Sequence, residues 1–154
     1  MNLRSLILPG VFVALVATNA LATDPPITPV SADALVERLD DGAKAPYVLD
    51  VRTAEEFVAG HVPGAVNIPY DQVASRLAEV PKDRDVVLYC RSGRRVHLAA
   101  AVLADKGYTR LEHLQGDMPA WAEQGRPVEK PRDAAACKAA LASGGPAEKA
   151  CASN

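Results

Sequence analysis

Short apolar runs and amphipathic segments alternate along the chain from residue 31 to residue 124. Runs of four or five apolar residues predict strands, and apolar residues that recur every three or four positions predict helices. The predicted strands cover residues 47–51, 65–68, 85–89 and 111–114, and the predicted helices cover 31–39, 53–60, 71–79, 94–106 and 118–124. This alternation predicts an α/β fold, a parallel sheet covered on both faces with ligand sites at the carboxyl ends of its strands.

Polar residues and glycines indicate where the helices begin and end. Ser31 is placed to cap the first helix, and Thr53 with Glu56 three residues later has the spacing of a capping box. Gly107 closes the long helix that begins at Arg94. In the helix predicted over residues 71–79, Val73 and Leu77 fall on one face.

The first 22 residues are predicted to be a secretory signal peptide rather than part of the fold. They combine a positive start, an apolar run over residues 6–17 and an Ala-Leu-Ala cleavage pattern at 20–22. The alternative is a membrane anchor, but a Pro-Gly pair interrupts the run, which falls short of the roughly 20 residues of a spanning helix. Thr23 then follows where a lipoprotein would have cysteine. We expect a soluble mature product, periplasmic or secreted, without a membrane association.

Composition and charge indicate how many domains the chain forms and which ligands it is unsuited to bind. The 154 residues are 49% hydrophobic and 23% charged, which suits one globular domain over residues 23–128. Seventeen basic and 19 acidic residues give a net charge of −2, which argues against binding to nucleic acid. From residue 129 to 154 the composition shifts to Ala, Lys, Gly, Ser and Pro, with Leu141 as the one large aliphatic residue. Such a segment is too poor in apolar residues to build a core, so we expect a tail.

Three cysteines divide between this tail and the domain. An oxidising compartment favours a disulfide between Cys137 and Cys151 in the tail over a second reactive site. That pairing leaves Cys90 over. An unpaired cysteine in a secreted protein is either a partner-seeking thiol or a reactive one.

Cys90 stands where a strand ends and a helix is about to begin, in the stretch VVLYCRSGRRV. Gly93 allows the intervening loop to turn tightly, so that several backbone N–H groups point at the sulfur. Helix dipole, amides and nearby arginines all stabilise a thiolate. The alternative is a buried structural cysteine, but the residues that follow favour a nucleophile in an anion-binding loop: Arg91, Ser92, Gly93, Arg94 and Arg95.

Three motifs carry a resemblance to a known family. They are LDVRTAEEFVAGHVPGAVNIP at residues 49–69, YCRSGRR at 89–95 and LQGDMPAW at 114–121. Over residues 30–128 the chain resembles a single-domain rhodanese, a sulfurtransferase. The resemblance implies a five-stranded, mainly parallel sheet and a cysteine persulfide on Cys90.

The implied reaction takes the outer sulfur of an anionic donor such as thiosulfate and passes it to a thiophilic acceptor, either cyanide or a thiol, including that of a partner protein. Backbone amides of the loop would hold the persulfide and the departing anion. Arg91 and Arg95 are the candidates for side-chain recognition of an oxyanion. Arg94 is equally compatible with that role and with a solvated position. We expect no cofactor.

Other polar residues are expected to support the site. The resemblance places Asp50, which follows a buried strand together with Arg52, near the active loop, where it would orient the backbone; ordinary strand-end polarity is the alternative. Glu56 is expected to cap its helix and His61 to make a structural hydrogen bond at a turn. Further along, His97 and His113 lack metal-ligand partners, so no metal is assigned. Trp121 is expected in the core or at its rim.

The chain departs from the family pattern in two places. The tail with Cys137 and Cys151 is additional to the minimal domain, and a role in relaying sulfur or resolving the persulfide of Cys90 stays open for it. The other departure lies in the third motif. Where the family often has a Gly-Gly pair, this chain has Gly116-Asp117. The turn is therefore expected to differ, or Asp117 to cap the following helix.

Two other functions remain open. A cysteine phosphatase or arsenate reductase would carry C-x5-R, but that arginine position is occupied by Val96, and Arg95 gives a loop one residue shorter. Tyr89 also stands where phosphatases often have histidine. The second alternative is a carrier or redox-sensing module in which Cys90 holds sulfur without turnover.

Overall fold

A five-stranded parallel sheet forms the centre of the protein. The computed structural model describes residues 27–144 and 150–152, so the expected signal peptide lies outside the described residues. The strands are β1 (Thr28–Val30), β2 (Tyr47–Asp50), β3 (Val66–Asn67), β4 (Val86–Tyr89) and β5 (Leu111–Leu114). Their order is β1-β5-β4-β2-β3, and every neighbouring pair is parallel. The α/β prediction is confirmed.

The helices are α1 (Ala32–Leu39), α2 (Ala54–Ala59), α3 (Arg94–Asp105), α4 (Asp117–Glu123) and α5 (Ala134–Ala142). None of the helices within the described ranges is long and apolar enough to cross a membrane. Two cap predictions are confirmed: the Ser31 hydroxyl accepts from the N–H of Ala34, and Thr53 and Glu56 form the capping box of α2. Each cap satisfies N–H groups that a helix start leaves without partners.

Apolar side chains fill both faces of the sheet. On one face, α3 and the segment after β3 cover a cluster that includes Leu88, Cys90 and Leu103. On the other face, α1 and α4 cover a cluster with Val87, Leu114 and Trp121. Trp121 is 1% exposed, so its expected core position is confirmed. Strand β4 is buried along its whole length, which places the residue after it inside the protein.

The segment after β3 corrects one prediction. Residues 71–79 form two short 3₁₀ turns, Val73–Ser75 and Leu77–Glu79, rather than one α-helix. The hydroxyl of Tyr108 donates to the carbonyls of Leu77 and Val80, at 3.0 and 2.7 Å. These contacts satisfy carbonyl groups that an α-helix would otherwise have to pair, so the segment can end in a tighter turn.

Strand β1 was not predicted because Pro29 lies at its centre. Proline cannot donate to a sheet, yet an edge strand tolerates it. Here β1 lies at the sheet edge and pairs with β5 alone among the described strands.

The segment after residue 129 also differs from the expected coreless tail. Helix α5 packs on α2, and Phe57, Cys137 and Leu141 form a small buried cluster. A disulfide joins Cys137 to Cys151. The segment has no core of its own, but its residues Cys137 and Leu141 pack against Phe57 of the domain.

Candidate active site

Cys90 follows the central strand β4 directly, and α3 begins four residues later. Its side chain is fully buried. The backbone N–H groups of Ser92 and Gly93 both point at Sγ, with nitrogen-to-sulfur distances of 3.4 and 3.1 Å. Donors aimed at one sulfur atom from a helix start stabilise negative charge there. The loop after β4 therefore has the geometry of an anion cradle.

Gly93 is required by the shape of this loop. Its φ of +80° lies in the left-handed region, and a Cβ added there would lie 3.3 Å from the ring of His113. Glycine is the residue that adopts this conformation without steric cost. The N–H that donates to Sγ thus depends on the absence of a side chain.

The three arginines of the loop occupy different environments. Arg95 donates from both terminal nitrogens to the carboxylate of Glu56, at 2.6 and 3.0 Å. It therefore serves as a link to α2, whereas the sequence suggested oxyanion recognition. Arg91 and Arg94 are exposed, and neither forms a salt bridge with a residue in the described ranges. These two guanidinium groups are the ones available to an approaching anion.

Glu56, the partner of Arg95, was predicted from the sequence only to cap its own helix, α2. It accepts from the N–H of Thr53 at 3.1 Å while it binds Arg95. Hydrogen bonds from Arg95 lower the pKa of Glu56 to about 2, against the opposing effect of partial burial. The carboxylate is thus charged across the physiological pH range, and it couples the start of α2 to the start of α3.

Asp50 and Arg52 form a buried pair beside the active loop. Two nitrogens of Arg52 reach the Asp50 carboxylate, the closer at 2.5 Å, and Arg52 also donates to the carbonyl of Gly60. Burial opposes the charge of Arg52, but the hydrogen bond and charge of Asp50 outweigh it and raise the pKa of Arg52. The Asp50 carboxylate accepts from the backbone N–H of Arg52 at 2.9 Å and from its guanidinium group. The resemblance suggested that Asp50 orients the backbone, and the backbone that it holds is that of Arg52, just after β2 ends.

Asp117 is the site residue whose role the sequence did not reveal. Its carboxylate oxygen Oδ1 accepts from the N–H of Cys90 at 2.7 Å and lies 3.2 Å from Nε2 of His113. The expectation that Asp117 caps α4 is wrong, because the cap position is Gly116 and no side chain caps this helix. The Gly116-Asp117 pair, in place of the Gly-Gly pair that the resemblance suggested, marked this position in the sequence. It did not show that the Asp117 carboxylate would point at the Cys90 N–H.

An open groove of about 400 Å³ runs beside the loop between α2 and α4. Polar and small apolar side chains line it: Arg52, Glu56, Ala59, Arg91, Met118, Pro119 and Ala122. The N–H of Met118 also donates to the carbonyl of Cys90 at 3.1 Å. The groove therefore adjoins Cys90 and has the Arg91 guanidinium at its wall.

The histidines take no direct part in this cradle. His61 is buried and stacked on Phe57, and its Nδ1 lies 3.0 Å from the Phe57 carbonyl. Burial lowers the pKa of His61, so it is a neutral structural residue, as expected. Within residues 27–144 and 150–152, no group of three His, Cys, Asp or Glu side chains could hold a metal ion.

Comparison with known proteins agrees with this geometry. The model of the Rhodanese-like domain matches residues 31–124. A protein of Allochromatium vinosum named Sulfurtransferase is 39% identical over 105 residues, which cover 68% of this chain and 97% of that protein. Thiosulfate sulfurtransferase PspE of Escherichia coli is 40% identical over 74 residues, covering 47% of this chain and 71% of PspE.

A solved structure gives the same result for the fold. The crystal structure of the Alr3790 protein from Anabaena sp. has a TM-score of 0.61 and 29% identity, and the match covers 67% of this chain and 83% of that one. The family match spans more than half of the chain and contains strands β2 to β5, the cysteine loop and α4. The chain therefore belongs to the rhodanese-like family, as a sulfurtransferase.

Proposed function

We propose that the protein transfers sulfane sulfur from thiosulfate to a thiophilic acceptor through a persulfide on Cys90. The Cys90 thiolate attacks the outer sulfur of thiosulfate, and a new S–S bond forms. The bond between the two sulfur atoms of thiosulfate breaks, and its electron pair leaves with sulfite. Cyanide or an acceptor thiolate then attacks the outer sulfur of the persulfide, and the electron pair of that S–S bond returns to Cys90.

The observation that carries this proposal is the pair of backbone N–H groups aimed at Sγ of Cys90. Both steps place negative charge on this sulfur or on the atom attached to it. Preorganised backbone donors stabilise such charge without a cost of reorganisation during the reaction. The donors are part of the backbone, so the cradle is present before substrate binds.

The charge distribution at the mouth of the site supports an anionic donor. Arg91 lines the groove beside the loop and Arg94 begins α3, and both are exposed. A guanidinium group matches the oxygens of a sulfonate-like group well. Glu56 is the acidic group on the groove wall, and Arg95 neutralises it.

The test is thiosulfate-dependent formation of thiocyanate from cyanide by the mature protein, compared with Cys90→Ser. Intact mass is recorded after thiosulfate alone. We expect many turnovers and a gain of one sulfur atom, both absent in the variant. Failure of both signals in the folded wild-type protein contradicts the proposal.

Counting sulfite per chain and adding an aryl phosphate as a second substrate separate the two alternatives. A sulfur carrier gains mass with thiosulfate but releases about one sulfite per chain. A phosphatase releases product from an aryl phosphate and none from thiosulfate. The position six residues after Cys90 is Val96, which disfavours the phosphatase because its loop arginine is missing there.

We also propose export of the mature chain, on the basis of the signal-like pattern in residues 1–22. Cell fractionation tests it. The full chain should appear, shortened, in the periplasm or medium, and a chain that begins at residue 23 should stay in the cytoplasm.

A further inference from the structure

Asp117 has an unusual backbone conformation. Its φ is +56°, and it is the one non-glycine residue with positive φ in the part of the chain that the structure describes. This left-handed region favours glycine, although aspartate is among the residues that tolerate it. Strained residues of this kind persist where neighbouring groups hold them, and they are concentrated at functional sites.

The neighbours that hold Asp117 belong to the sulfur-transfer site. The Asp117 residue is 4% exposed, and the peptide N–H of Cys90 donates to its carboxylate at 2.7 Å. The next residue, Met118, donates its N–H to the Cys90 carbonyl at 3.1 Å. Both polar groups of the Cys90 backbone are thus held by the first two residues of α4.

Asp117 is charged at neutral pH. Burial by itself raises the pKa of its carboxyl group, but hydrogen bonds from His113 and from Cys90 outweigh burial, and the pKa lies below the ordinary value. A fixed negative charge close to a thiol disfavours the thiolate. The loop amides therefore attract negative charge to Sγ while Asp117 opposes it.

We propose that Asp117 is a positioning residue of the sulfur-transfer site, which holds the Cys90 backbone and uses its charge to restrain ionisation of the sulfur. The inference rests on the proposed function only for its effect on turnover. Other charged or titratable groups surround the pair. His113 of β5 contacts Asp117, the His97 ring of α3 lies 5.8 Å from the His113 ring, and Arg94 and Arg95 begin α3 directly after the loop.

The test measures the rate at which iodoacetamide alkylates Cys90 as a function of pH. Cys137 and Cys151 are bonded to each other, which leaves Cys90 as the free cysteine of the three. Because Cys90 is fully buried, opening of the site scales the rate at every pH, so the midpoint of the profile, not the absolute rate, reports ionisation. Asp117→Asn keeps an oxygen acceptor for the Cys90 N–H but loses the charge. Asp117→Gly loses both and suits the left-handed backbone. Asp105→Asn removes the same charge from the exposed far end of α3 and serves as the control.

Both Asp117 variants should move the midpoint of the alkylation profile to lower pH by about one unit, and Asp105→Asn should leave it unchanged. In the variants, below the midpoint, sulfite release from thiosulfate should rise only about threefold, because a more acidic thiolate is also less nucleophilic. Thermal unfolding shows which variants are folded. If Asp117→Asn does not fold, the comparison is made with Asp117→Gly.

An unchanged midpoint in the folded Asp117 variants, or a shift to higher pH, overturns the proposal. Lower turnover at every pH with an unmoved midpoint would show a purely structural role and also overturns it. The alkylation profile does not depend on sulfur transfer. If the wild-type protein is alkylated normally but forms no thiocyanate, the proposed function fails while the role of Asp117 is still decided.

Discussion

The guanidinium group of Arg95 donates two hydrogen bonds to the carboxylate of Glu56, at 2.6 and 3.0 Å. Arg95 lies in the first turn of α3, and Glu56 lies in the first turn of α2, where it also closes the capping box with Thr53. One carboxylate therefore connects the helix that begins at the cysteine loop to the helix that lines the groove. Two-point contacts of this type restrict orientation as well as distance.

Glu56→Gln should destabilise the protein in a pH-dependent manner. The pKa of Glu56 is about 2 in the folded chain against an ordinary value of 4.5, so its contribution is present above pH 4.5 and is lost as the pH falls towards 2. Because the pair is partly solvated, we expect a loss of only about 1 kcal/mol at neutral pH. Urea unfolding at a series of pH values measures the difference between variant and wild type.

Glu55→Gln is the matched control, because Glu55 is exposed on the same helix and pairs with Lys138 at the surface. Glu55→Gln should lower the free energy of unfolding less than Glu56→Gln does. A loss at Glu56 that stays constant down to the lowest pH would point to packing and would contradict the electrostatic explanation.

Gly93→Ala should reduce sulfur transfer more than it reduces stability. The added methyl group would lie 3.3 Å from the His113 ring at a residue with φ of +80°, so the loop must shift and its N–H must move away from Sγ. Loss of one such donor lowers kcat by about 100-fold in comparable sites. Thiocyanate formation and thermal unfolding measure the two effects.

Gly107→Ala separates backbone strain from damage to the site. Its φ is +83°, nearly the same as at Gly93, but nothing lies within 4 Å of an added Cβ. It should cost about 1 kcal/mol of stability and leave kcat unchanged. An equal loss of kcat in Gly93→Ala and Gly107→Ala would contradict the explanation that Gly93→Ala acts by moving the N–H donor away from Sγ.

Local sequence signals predicted the parts of the fold that depend on neighbouring residues. The caps at Ser31 and Thr53 were correct because each involves a contact only three residues away. The position of Cys90 followed from an apolar run that could only be a buried strand. Gly93 followed from the need for a tight turn before α3.

Contacts between distant residues were not predictable in this way. Asp117 meets Cys90 across 27 positions and Glu56 meets Arg95 across 39. Contacts at such sequence separations leave no periodic pattern in the sequence. The partner of a charged side chain depends on the order of the strands in the sheet, which the local pattern does not give. The packing of α5 was missed for the same reason, because its apolar partner Phe57 belongs to another element.

Arg91→Ala should raise the KM for thiosulfate with a smaller change in kcat. Arg91 lines the groove, is exposed, and has no salt bridge with any described residue, so its charge is available to the donor. Loss of roughly 1.4 kcal/mol of binding corresponds to about a tenfold rise in KM. Arg94→Ala, which removes the same charge outside the groove lining, should raise KM less. The reverse order would assign recognition of the donor to Arg94.

Replacement of both Cys137 and Cys151 by alanine should lower stability and leave turnover unchanged. The disulfide closes a loop with a separation of 14 residues, for which chain entropy gives about 3 kcal/mol. For a domain of this size that corresponds to about 10 °C in the unfolding temperature. Cys137 is fully buried beside Phe57, so alanine at this position keeps an apolar contact with α2.

The measurement that decides between structure and relay is thiocyanate formation by the double variant, well below its unfolding temperature. If the disulfide only holds α5 on α2, kcat stays at the wild-type value, because Glu56 and Arg95 keep their contact on the folded domain. A role in resolving the persulfide would appear as lost turnover in a chain that is still folded and still gains one sulfur atom on Cys90. Cys137→Ala alone distinguishes a relay through Cys151, because it leaves that thiol free. Restored turnover in this single variant would assign the resolving step to Cys151.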